Sequence, residues 1–256
     1  HSSISYEALR SWYRDKVSTS KADFVIFDTS AHRKYFLKKY KLPKEKTGVV
    51  YVGANNTDFD RKKSPKLPNS GKFRIGFVGH FIPLQGVLTI LETARLMKDD
   101  PKTEFIFIGE GYEFQNALVF AKENQLTNVR FEGKVAYQEL DFWLNSFDLC
   151  LGIFGNTLKS TVVIPNKIFN YASCAKPILT MESEAIKEVF LHGENIYLCR
   201  PDARKMKNAI NNLMKDSGLR EKLGEKIFDL VSNKYNEERT AFSLISQYEN
   251  FRNRRS

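Results

Sequence analysis

The sequence predicts an α/β fold, a doubly wound parallel sheet, on three observations. From Lys72 onward short β-rich apolar runs alternate with helical patterns, as in a parallel sheet covered on both faces. Short turns join most of these units, and parallel neighbours need right-handed crossovers, so the arrangement reads as Rossmann-like. With 256 residues, 42% of them hydrophobic, the chain can bury one substantial core or two unequal ones.

The expected strands are 73–78, 104–108, 129–132, 148–153, 177–180 and 196–198, and the expected helices between and after them are 87–98, 112–123, 137–145, 166–173, 183–191 and 203–216. Two further helical segments, 219–234 and 237–251, close the chain. The earlier part differs. Residues 24–27 and 49–52 read as strands around a basic helix, a single βαβ unit that cannot bury both faces of its own sheet. The charged, proline-bearing stretch 61–71 reads as a domain boundary. Two regions are therefore expected: 1–68, the incomplete tail of a first domain with its linker, and 69–256, a Rossmann-like domain with terminal helices.

Net charge is +10, and residues 1–72 hold sixteen lysines and arginines against seven acids, so the basic character belongs to the N-terminal region. Its densest run, His32 to Lys41, has helical spacing, with Phe36, Leu37 and Tyr40 available for an apolar face. Residues 32–46 could rest on an anionic membrane, or could form an ordinary solvated helix face. Nucleic acid is the least favoured partner, because no zinc-finger, RRM, KH or helix-turn-helix signature accompanies the charge. No apolar run approaches the roughly 18 residues of a membrane span. No signal peptide opens the sequence, and Cys150, Cys174 and Cys199 lack C-x-x-C spacing. A cytoplasmic protein without disulfide or metal is expected, with peripheral attachment to the inner membrane face as an alternative.

The most informative stretch lies between residues 147 and 180. An apolar run from Phe147 to Phe154 leads into a loop that delivers Pro165-Asn166-Lys167 to a helix start, and a second apolar strand follows Lys176-Pro177. Free N–H groups and the positive end of a helix dipole favour an anion, and a lysine beside them adds a full charge. Lys167 in a first helical turn opposes the dipole, so an anion opposite it would account for its place. A surface lysine with its stem along the helix is the competing reading.

Six segments carry a family resemblance: Ala22-Asp-Phe-Val-Ile-Phe-Asp-Thr-Ser30, Val49-Val-Tyr-Val-Gly53, Phe77-Val-Gly-His-Phe-Ile-Pro-Leu-Gln-Gly86, Phe107-Ile-Gly-Glu-Gly111, Asn128-Val-Arg-Phe-Glu-Gly133 and Pro165-Asn166-Lys167. In this order they resemble the retaining glycosyltransferases of family 4, over nearly the whole chain. The resemblance implies the donor-binding C-terminal domain of a GT-B enzyme, preceded by the last part of the acceptor-side domain, with the final helix crossing back. It further implies sugar transfer with retention from a nucleotide sugar to a glycan or lipid-linked acceptor, as in bacterial polysaccharide biosynthesis, without metal or other cofactor.

The motifs depart from the family pattern at the charged positions. Where the family has Arg and Lys in the first glycine-rich turn, this chain has His80 and Gln85, flanked by Gly79 and Gly86. Where the family has two glutamates with seven residues between them, Val162 and Asn170 stand. Either the chain is a degenerate nucleotide-sugar-binding module, or its charges are re-sited onto Lys159 and Lys167. Asn170 can still hydrogen-bond a ribose hydroxyl. The remaining donor-side candidates are Asn166 at the helix start, Glu110 in a tight turn, Val135 against the nucleobase, and Glu188, which could accept from sugar hydroxyls or lie exposed. No residue is an evident catalytic base.

Overall fold

The computed structural model describes residues 6–254. The chain opens with α1 (Tyr6–Lys21), β1 (Val25–Phe27), α2 (Ser30–Tyr40) and β2 (Thr47–Val49), and β1 and β2 form a two-stranded parallel sheet. The main body runs β3 (Phe73–Val78), α3 (Val87–Leu96), β4 (Thr103–Ile108), α4 (Phe114–Glu123), β5 (Val129–Gly133), α5 (Leu140–Asn145), β6 (Leu149–Leu151), α6 (Leu158–Val162), α7 (Asn166–Ser173), β7 (Ile178–Met181) and β8 (Tyr197–Cys199). Helices α8 (Ala203–Lys215), α9 (Ser217–Lys234) and α10 (Glu237–Asn253) complete it.

Strands β3 to β8 form one parallel six-stranded sheet in the order β5-β4-β3-β6-β7-β8. The chain winds outward from β3 to β5, then returns to place β6 on the other side of β3. A crevice at the carboxyl ends of β3 and β6 is therefore the topological switch point, where open α/β sheets bind ligands. Period-2 alternation sends Ile75, Phe77, Phe105, Phe107, Leu149 and Leu151 into a core with α3 and α8. The intervening Ile106, Ile108 and Cys150 meet α7 and α9 on the opposite face. At Gly76 a Cβ would overlap the Phe147 ring, so this strand position is glycine for lack of room.

Several expectations need correction. The helix expected at 183–191 is only a 3-10 turn at Ile186–Glu188. Its groups bond outside a regular helical ladder instead: Ala185 N–H donates to the distant Thr161 carbonyl, while the side chains of Ser183 and Asn195 accept locally, Ser183 Oγ from Ile186 N–H and Asn195 Oδ1 from Leu191 N–H. The strand expected at 49–52 is β2, shifted to Thr47–Val49, because after Val50 the chain turns away toward the main body. Strand β6 is shorter than expected, and both α1 and α6 went unforeseen. The helix expected at 137–145 begins as a 3-10 turn, Tyr137–Glu139, before α5.

The two regions are laced together. Phe24 stacks on Phe251 of α10 with ring centroids 4.7 Å apart, Ala54 N–H donates to the Tyr235 carbonyl, and Ala54 pairs with Asn236. The last helix thus lies against the N-terminal unit. Phe36 and Tyr40, the apolar face considered for a membrane, turn inward instead: Phe36 contacts Phe27 and Tyr40, and Tyr40 contacts Trp12. Among the described residues no helix is long and apolar enough to cross a membrane. Cys150 and Cys174 are buried and Cys199 is half-buried. Burial pushes the Cys174 and Cys199 thiols up to about 12.

Candidate functional site

Three turns at the carboxyl ends of β3, β4 and β5 are stitched side by side. Gly79 N–H donates to the Ile108 carbonyl, Phe81 N–H to the Glu110 carbonyl, and Gly109 N–H to the Gly133 carbonyl. The last bond follows a register shift between β4 and β5 after Phe107. Gly109 has φ +131°, and a Cβ there would overlap the Gly79 carbonyl oxygen, so only glycine allows the turns to nest. Gly86, at φ +68°, starts α3 with its backbone against Phe154 and Gly155.

A cavity of about 310 Å³ opens over these turns, lined in part by Gly79, His80, Glu110, Val135, Tyr137 and Leu140. Four sequence-predicted residues, Gly79, His80, Glu110 and Val135, therefore share one cavity with a largely apolar wall. Glu110 forms an exposed ion pair with Lys134 at 3.5 Å. Tyr137 and Leu140 were not anticipated as lining. The available signal was their place directly after the third strand, obscured because residue 137 had been read as the start of a regular helix.

Lys167 lies at the switch point between these turns and β6. It sits in the first turn of α7, whose N-cap, Pro165, makes no side-chain capping bond. The side chain runs beneath Gly79 rather than along the helix surface and is only 8% exposed. Its Nζ stands 3.8 Å above the centre of the Phe77 ring and donates one hydrogen bond, 3.3 Å, to the Gly152 carbonyl. A Cβ on Gly79 would lie 3.0 Å from Nζ, so only the missing side chain of Gly79 separates the lysine from the turn above. No carboxylate pairs with Lys167 among the described residues. Desolvation is the main cause holding its pKa well below the ordinary lysine range. Magnitudes explain the direction: a desolvated cation–π contact contributes about 2 kcal/mol, whereas removing an ammonium from water costs several kcal/mol. Beside it, buried Gln85 keeps Oε1 without a donor.

The other candidates divide. Asn166 is exposed at the start of α7, Asn170 is half-buried one turn later, and Lys159 is exposed on α6. Val162, at the position of the family's first glutamate, is buried in the core, and its carbonyl accepts a hydrogen bond from Thr29 Oγ1. Glu188 requires correction. Its carboxylate is neither exposed nor directed at the donor cavity, since it accepts from Ser30 N–H and Ala31 N–H, both at 2.7 Å, and from the Tyr51 hydroxyl at 2.8 Å. It caps α2. Helix starts attract carboxylates as they attract phosphates, and the sequence alone could not show that the unpaired helix start lay more than 150 residues away, at α2.

The family model described as "Glycosyl transferases group 1" matches residues 72–216, more than half of the chain and all of the main sheet. The chain belongs to the group 1 glycosyltransferases. The chain is 31% identical over 116 residues to the probable glycosyltransferase WbjE of Pseudomonas aeruginosa, a match covering 43% of this chain and 27% of WbjE. Among solved structures it resembles Anabaena Alr3699/HepE in complex with UDP and glucose, with TM-score 0.81 and 18% identity over 95% of this chain and 67% of that one. It also resembles sucrose-phosphate synthase from Thermosynechococcus elongatus, with TM-score 0.79 and 20% identity, covering 96% and 63% of the two chains. S. aureus TarM, solved with UDP, gives TM-score 0.74 and 17% identity, with 93% of this chain and 46% of TarM covered. At these identities the structural likenesses establish a Rossmann-like GT-B architecture. The chain spans about a quarter of WbjE and less than half of TarM.

Proposed function

We propose that the chain is the donor-binding part of a retaining glycosyltransferase of family 4. It would use a nucleoside-diphosphate sugar and deliver the sugar to a glycan or lipid-linked acceptor in polysaccharide synthesis. The observation that carries this reading is Lys167, a buried lysine without a counter-ion, directed beneath a glycine turn at the switch point of the sheet. An unpaired buried charge is costly, and a bound diphosphate would supply the missing partner. The HepE and TarM structures each hold UDP, which makes UDP the first nucleotide to try.

In this reading the base occupies the cavity by Val135, and the diphosphate lies between the Gly79–Gly86 turn and the start of α7. Lys167, Asn166 and the free N–H groups of the helix face the phosphates, with Lys159 at the rim. The leaving diphosphate gains negative charge as the sugar departs, and a fixed cation there stabilises the transition state more than the ground state. Asn170 takes the ribose hydroxyls, while His80 and Glu110 border the entrance. Residues 1–68 would belong to the acceptor-side domain, which would provide the acceptor contacts, and no metal would be needed.

Calorimetric titration with UDP, GDP, ADP and dTDP, with and without magnesium, tests the reading. One nucleotide should bind independently of metal, and Lys167→Ala should weaken it about ten- to a hundredfold, as expected for loss of a charged hydrogen bond. Binding that is indifferent to Lys167→Ala would remove the lysine from the site. A second reading, a nucleotide-sugar-binding module without transfer, is favoured by Val162 and Asn170 at the positions of the family's glutamates. It predicts tight binding with neither sugar transfer nor donor hydrolysis.

A further inference from the structure

The free site offers Lys167 little that would hold it as an ammonium. An ammonium at Lys167 has three N–H donors, and the structure offers it one carbonyl, Gly152 O, and one aromatic face, Phe77. The titratable groups packed around it provide no negative charge. Cys150 of β6 has its thiol pushed up by burial. Tyr171 of α7 is also pushed well up by burial, and its hydroxyl engages the backbone of Val78. On the β3 turn, His80 is exposed and Gln85 is uncharged. Among the described residues none of these elements places a carboxylate against Lys167 to compensate a buried positive charge.

We propose that binding of a nucleoside diphosphate at this site draws one proton from solvent onto Nζ of Lys167, so that the lysine is neutral in the free protein and an ammonium in the complex. The inference rests on the diphosphate reading given above and deepens it. The bound diphosphate supplies the counter-charge and the missing acceptors. Protonation and anion binding at Lys167 are then reciprocal: each favours the other by the same factor. The depressed lysine pKa has the direction that such coupling requires.

The experiment is calorimetry of the intact chain at pH 8 with UDP-glucose, whose diphosphate diester has no titrating proton near neutrality. If the four-nucleotide screen selects another base, the corresponding nucleoside-diphosphate glucose replaces it. Titrations in buffers of different ionisation enthalpy give the number of protons exchanged. The expected result is uptake of about one proton by the wild-type chain at a pH between the free and bound lysine pKa values, and none by Lys167→Met, with folding checked by thermal melting. A second reading needs no variant: wild-type affinity should fall by up to tenfold per pH unit as the pH rises through that window. Binding without proton exchange, together with affinity that stays flat between about pH 7 and 9.5, would overturn the proposal and leave the donor-site assignment intact. No binding by any of the four nucleotides or their sugars would overturn the assignment itself, and the proton linkage with it.

Discussion

Lys167 sets function against stability within one side chain. Its stem fills space among Phe77, Gly79 and Gly152, and its terminal nitrogen is buried without a counter-ion. Methionine has similar length and no charge, so Lys167→Met should raise the melting temperature while lowering nucleotide affinity. The sign of the pH effect follows from the depressed folded-state pKa. Below the ordinary value of 10.5 the unfolded chain keeps a proton that the folded chain has lost, so this group makes stability rise with pH across the window. Denaturant titrations at pH 7, 8 and 9 should show a positive slope in the wild type, at most about 1.4 kcal/mol per pH unit from this residue, and a smaller slope in Lys167→Met. Equal slopes would refute the linkage. At this scale the sequence was legible in part. Placing lysine where it opposes a helix dipole pointed to an anion, but the alternative of a surface stem could be rejected only once residues 79 and 152 were seen packed against it.

At the scale of elements, close backbone approach fixes the donor cavity. The turns after β3 and β4 nest because Gly109 has no Cβ, so Gly109→Ala would force the Gly79 carbonyl away and distort the cavity floor. That substitution should abolish nucleotide binding and cost about 1–3 kcal/mol of stability from backbone strain, measured by calorimetry and by denaturant unfolding. The other decisive element contact is the start of α2, where Thr29 Oγ1 accepts from His32 N–H and Glu188 takes Ser30 N–H and Ala31 N–H. Glu188→Ala should lower stability by about 0.5–2 kcal/mol, the range for losing a helix cap, and Tyr51→Phe should add little on that background because its hydroxyl partner is already gone. Additive losses would show that the two residues act separately. Alternating apolar runs revealed nearly every strand and helix of the main sheet. The failure at 183–191 is instructive, because the sequence pattern cannot reveal that Ala185 and Glu188 bond to residues 161, 30 and 31 rather than within a local helix.

Across the whole molecule, the stretch read from its charge and prolines as a linker is a strap lying on the main body. Lys63 Nζ reaches Asp141 at 2.8 Å, and Asp141 is only 1% exposed, so the contact anchors the segment from inside α5. The bonds continue along its length: Asn145 Nδ2 donates to the Asp60 carbonyl, Lys66 N–H to the Phe142 carbonyl, and Leu67 N–H to Ser146 Oγ. Arg61 adds an ion pair with Glu225 and a stacking contact with Phe228, and Arg74 holds the Pro68 carbonyl. Composition marked the stretch as polar and proline-bearing, and it lies between β2 and β3. It could not show the strap's conformation, because all its partners but Arg74 lie more than 70 residues away in sequence. A free linker rich in lysine and arginine would be cut readily by trypsin, whereas a strap hydrogen-bonded to a folded body resists cleavage until it opens locally. Limited trypsin digestion of the wild type should therefore leave residues 61–66 intact under native conditions. Asp141→Ala removes the buried anchor without touching the donor cavity, and should make this stretch the first site of cleavage while nucleotide affinity stays within twofold. Rapid cleavage of the wild type there would show that the strap is open in solution, and the boundary would then be an ordinary flexible linker.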